Sequence, residues 1–144
     1  MATYNKFEQT VEYLCDGVYD FGADTFKVQL IPTTEPDAAA DLVEADLPPD
    51  LSTANGYTSG GNTAGTATSS TQTSGTYTFD LADTVFTAAS GSIGPFRYIV
   101  LIDDTPSSPL DPLICYFDYG SNLTLLDTET LTVNWNASGV FTLI

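Results

Sequence analysis

Apolar and polar positions alternate along most of this chain. Phe26, Val28 and Leu30 alternate with Lys27 and Gln29, the pattern of a half-buried strand. Pro32 ends that run, because it cannot donate to a ladder. Tyr77, Phe79 and Leu81 share one face of a second alternating run over 76–81, and 84–87 is short enough to pair nearby. Residues 96–102 and 113–119 carry apolar side chains on both faces, which predicts strands covered on both sides. Leu131, Val133 and Trp135 alternate with Thr132 and Asn134, and 140–144 reads as a further strand. Residues 38–47 fit a short helical turn or an irregular strand, closed by Pro48-Pro49. Several short strands separated by turn signals predict a mainly β chain, an antiparallel β-sandwich or barrel-like fold.

One short helix is predicted near residues 5–16. Asn5 can cap it, with Glu8 at capping-box spacing. Phe7, Val11, Leu14 and Cys15 supply an apolar face, and Gly17 a stop. A helix this short does not stand alone in water, so it must dock on its own sheet or on a neighbouring subunit. Residues 53–75 read TANGYTSGGNTAGTATSSTQTSG. Their composition fits a flexible loop. Asn55-Gly56 is a tight-turn signal, and the threonines fit a thin edge strand near 63–71. Loop and edge strand both stay open.

The length, 144 residues, suits a single domain spanning 1–144. Charge narrows the function. Three Lys and Arg stand against 19 Asp and Glu, with no His, giving a net charge of −16, far beyond the magnitude of roughly 2–8 usual for a small domain. Phosphate contacts need cations, so nucleic-acid binding is not expected. Nor is a polybasic membrane anchor. Without His there is no Ser-His-Asp or Cys-His relay and no His-ligated metal. No run approaches the ~20 apolar residues of a membrane span, and 1–6 lack signal-peptide features, so synthesis in a cytoplasm is expected. The sequons at Asn122 and Asn136 are then chance occurrences.

Asp103, Asp104, Asp111 and Asp118 can gather near the ends of the two most apolar strands, where Ca²⁺ would accept oxygen ligands. EF-hand spacing is missing, and Asp-rich turns are ordinary. A carboxylate pair for glycoside hydrolysis would need an aromatic-lined cleft, for which Trp135 is the one Trp. Cys15 and Cys115 read as buried free thiols, with no basic neighbour in sequence to activate either. Residues 90–94, Ser-Gly-Ser-Ile-Gly, lack the Lys of a phosphate cradle. Arg97, the only Arg, lies between Phe96 and Tyr98; an ion pair within the chain or a contact across a subunit boundary would satisfy it.

Ordered strings carry a resemblance. They are Tyr4-Asn5-Lys6-Phe7, Asp24-Thr25-Phe26-Lys27-Val28, Asn55-Gly56-Tyr57-Thr58 with Gly60-Gly61, Asp83-Thr84-Val85-Phe86-Thr87-Ala88, Gly91-Ser92-Ile93-Gly94-Pro95-Phe96-Arg97-Tyr98, and Asp118-Tyr119-Gly120. Over nearly its whole length the chain resembles small structural proteins of tailed-bacteriophage virions. The resemblance implies a non-enzymatic capsid decoration (cement) protein on the capsid exterior, or a head or tail accessory protein. It implies the major capsid protein or other virion proteins as partners; closed symmetry makes a homo-oligomer such as a trimer the expectation, and the residues point to no cofactor. Contacts are expected in 1–16 and 53–75, with Tyr4, Phe7, Tyr57 and Arg97 as interface candidates. The alternative from another class is a carbohydrate- or Ca²⁺-binding module built on the aromatics and the Asp103/Asp104/Asp111 turns.

Overall fold

A computed structural model describes residues 2–136 and 138–144. Met1, and Ala137 within the second sequon, lie outside the described residues. The chain is mainly β, as its alternation predicts. Its elements are β1 (Thr3–Lys6), α1 (Thr10–Cys15), β2 (Phe26–Ile31), a 3₁₀ turn (Glu44–Asp46), β3 (Asn62–Gly65), β4 (Ala67–Thr73), β5 (Thr76–Leu81), β6 (Thr84–Thr87), β7 (Ile93–Asp103), β8 (Leu113–Leu125), β9 (Thr130–Val133) and β10 (Phe141–Leu143). All strand pairs are antiparallel. A five-stranded sheet runs β1-β8-β7-β2-β3, a smaller one β10-β5-β4, and β6 pairs with β9.

The middle of the large sheet is buried on both faces, which accounts for the apolar runs Tyr98–Ile102 in β7 and Leu113–Phe117 in β8. On one face Phe26, Val28, Ile99 and Leu101 share a core with Phe79 and Leu81 of the small sheet and Phe86 of β6. Phe21, Phe26, Phe79 and Phe141 form its aromatic centre, with ring centroids 4.7–6.1 Å apart. On the opposite face Phe7, Ile31, Tyr98, Val100, Ile102 and Tyr116 form a second core, against which Ala38 and Leu47 pack. The ambiguous 38–47 segment is therefore a cover, and its only regular piece is the 3₁₀ turn.

The N-terminus departs from the predicted helix over 5–16. Thr3–Lys6 instead form an edge strand, paired from Thr3↔Asp118 to Lys6↔Cys115. Asn5 does not cap a helix; its amide donates to the Thr3 carbonyl at 3.2 Å. A short helix has a costly nucleus, whereas a strand here gains a ladder and the Tyr4–Phe117 edge contact at 5.5 Å. Only Thr10–Cys15 remain helical. Thr10 anchors them by donating its hydroxyl to Ile114 O at 2.8 Å. The stop at Gly17 is as predicted: Gly17 N–H reaches Leu14 O and Val18 N–H reaches Tyr13 O, a Schellman ending.

The Gly/Ser/Thr-rich segment is neither one loop nor one strand. Asn55 and Gly56 have φ of 52° and 93°, and Ala54 and Tyr57 exchange backbone bonds of 3.0 and 2.9 Å, a tight hairpin turn. The chain then edges both sheets in succession, as β3 on β2 and as β4 on β5. Gly61 makes this possible: its φ is +86° and a Cβ there would overlap the Val28 carbonyl.

Candidate functional site

The two sheets leave a groove between β1 and β10, each the edge strand of its sheet. Tyr4, Val11 and Leu14 line one side, Phe141 and Leu143 the other, and Phe21 lies between them. Its volume is about 320 Å³. Tyr4, Val11 and Leu143 keep 41%, 49% and 41% of their surface exposed, large values for apolar side chains gathered in one place. Lys6 lines the same groove and is the one cation without a carboxylate partner among the described residues.

The four interface candidates separate. Tyr4 is on the groove. Phe7 and Tyr57 are 0% and 2% exposed and serve the core instead of a surface. Tyr57 is a buried strut: its hydroxyl donates to Asp50 Oδ2 at 2.8 Å and accepts the Leu30 N–H at 3.3 Å. Asp50 also accepts from the Ser59 hydroxyl and the Gly60 N–H, so the 53–61 loop is tied down. Arg97 makes the ion pair within the chain. Its guanidinium grips Asp118 with bonds of 2.7 and 2.8 Å and lies 5.2 Å from the Tyr98 ring centre. Arg97 holds the Asp118 carboxyl below the usual range.

The acids do not gather as one set. Asp118 is bound to Arg97, whereas Asp104 and Asp111 turn to Lys27. The Lys27 ammonium lies 2.7 Å from Glu44, 2.7 Å from Asp104 and 3.5 Å from Asp111. Gln29 donates to the other oxygen of Glu44. Burial alone would lower the Lys27 pKa, but Asp104 and Glu44 outweigh it and raise the group above the ordinary lysine range. A cation is thus already supplied by the chain at this cluster, and no group of three metal-ligating side chains stands open among the described residues. Asp103 lies apart, wholly buried beside Asp24.

Cys115 is buried, and burial pushes its thiol up. Cys15 is exposed, contrary to the expected apolar placement, because the truncated helix turns Leu14 and Tyr13 toward the core in its place. Both thiols are free.

Sequence reasoning missed the Lys27 cluster and the groove. A lone Lys inside an apolar strand was the available signal for the first. The second arises where β1 and β10 come together from opposite ends of the described chain, and no local pattern encodes that. Comparison of the chain with protein-family models, curated proteins and solved structures finds no match.

Proposed function

We propose that this is a non-enzymatic structural protein of a tailed-phage virion, one that decorates the outside of the capsid and holds neighbouring capsid subunits together. The apolar groove between β1–α1 and β10 carries this reading, beside the sequence strings that resemble such proteins. Its occupant is an apolar ridge of the major capsid protein flanked by Lys or Arg. Charge complementarity argues for that partner over a second copy of the chain. Two of the three cations are spent on internal pairs; the third, Lys6, lines the groove but is outnumbered by Glu8, Glu12 and Asp16, exposed beside the groove-lining part of the N-terminal segment. Two bodies of −16 repel, whereas a cationic shell surface attracts.

In this reading three copies surround each local threefold axis of the shell, as closed symmetry favours. Binding to the assembled shell alone stabilises it by linkage. Val11→Asp tests the groove, since it adds an acid at an exposed position. It should weaken binding to shells built from the capsid protein of the same genome at least tenfold. Its own stability should change by no more than about 0.5 kcal/mol. Unchanged binding would remove the groove from the account, and a wild-type chain that never binds a shell would remove the function.

A further inference from the structure

Asp103 ends β7 with no exposed surface. Its Oδ1 accepts the Thr105 N–H at 3.2 Å. Its Oδ2 is buried and meets no donor among the described residues. Asp24, itself buried, lies across from it: the next residue, Thr25, accepts the Asp104 N–H at 2.9 Å, and Phe26 pairs with Asp103. Asp24 is held in place, because its Oδ2 accepts the Asp20 N–H at 2.7 Å.

The surrounding groups offer Oδ2 nothing. The Tyr19 hydroxyl donates to Leu113 O at 2.6 Å. Asp104, next in the chain, is bound to Lys27, whose ammonium it shares with Glu44 and Asp111. Asp20 Oδ1 accepts from Gly22 N–H. Two ionised carboxylates side by side in a buried site repel, and neither brings a donor. A proton on Asp103 Oδ2 removes the repulsion and gives the orphaned oxygen a partner at once.

We propose that Asp103 is protonated and donates from its buried Oδ2 to the Asp24 carboxylate, and that this hydrogen bond clasps the segment leading into β2 onto the end of β7. Raising the pH releases the proton to solvent and opens the clasp. The energetic direction agrees: burial is the main cause that lifts Asp103 to about 8, opposed by the Thr105 N–H and reinforced by Asp24.

Denaturant unfolding of the full chain between about pH 5 and pH 9, at fixed ionic strength, tests the clasp. Asp103→Asn keeps a permanent N–H donor toward Asp24 but cannot titrate. As pH rises, the unfolding constant of the wild type should climb up to about tenfold per pH unit more steeply than that of the variant. Parallel profiles would overturn the proposal. Infrared spectra of the wild type need no folded variant. A protonated-carboxyl band present near pH 6 and lost near pH 10 supports the clasp; its absence near pH 6 overturns it. Added Ca²⁺ that raises the wild-type midpoint near pH 8, but not that of Asp103→Asn, would also overturn it, since a metal ion would then occupy the pair.

Discussion

Tyr57 shows how much one hydroxyl can organise. It is the only aromatic in a stretch of Gly, Ser, Thr and Asn, and it is buried against Phe86 with ring centres 5.9 Å apart. Its hydroxyl joins Asp50 to the backbone of β2. Tyr57→Phe should therefore cost about 1–2 kcal/mol, because the buried Leu30 N–H loses its partner. A chemical-denaturation midpoint measures this, and an unchanged midpoint would mean that the strut is idle. Nothing in the local sequence distinguishes this buried Tyr from the exposed Tyr4. A lone aromatic in a polar stretch reads equally as a plug or as a contact, and only the long-range packing decides. Arg97 was more legible, since one guanidinium among many carboxylates on a central strand needs a partner, and the structure supplies Asp118.

At the scale of elements, alternation located the strands well, and in β6 it matches one buried and one exposed face; β2, read as half-buried, is instead covered on both faces, because Lys27 and Gln29 turn inward to Glu44. The helix prediction failed at its first half for a definite reason. Asn5 and Glu8 stand at capping-box spacing, but the edge of β8 over Cys115–Asp118 pairs with Thr3–Lys6 and draws Asn5 and Lys6 into the ladder. Phe79 of β5 is the main tie between the two sheets, touching Phe21, Phe26 and Phe141. Phe79→Ala should destabilise the chain by about 3–5 kcal/mol through lost burial and a cavity that rigid sheets cannot close. Thermal unfolding by circular dichroism checks it, and a loss below about 1 kcal/mol would contradict so central a position. The groove belongs to this scale as well. It exists because β1 and β10 edge different sheets on the same side of the molecule.

For the whole molecule, charge and proton linkage act in the same direction above about pH 4. Asp103 binds its proton more tightly folded than unfolded. Its contribution is complete below the unfolded value of about 4 and is lost as pH rises through about 8. One such group changes stability by at most about 1.4 kcal/mol per pH unit. Self-repulsion of a −16 body also eases as acids protonate. Asp118 works the other way, since Arg97 lowers it, and its contribution is lost only as pH falls below the usual carboxylate range. The melting temperature should therefore be higher near pH 5 than near pH 8.5. The reverse order, measured by calorimetry at constant ionic strength, would contradict this balance.

Fold class and the absence of His could be read from spacing and composition; the groove could not, because it depends on which apolar residues the tertiary structure leaves outside. Differential scanning calorimetry of capsid shells, assembled from the major capsid protein of the same genome and mixed with this chain, tests the docking account most directly. The account predicts a shell transition that moves upward and saturates at a fixed number of chains per shell. A transition that stays in place at saturating chain, with no chain sedimenting alongside the shells, would contradict it.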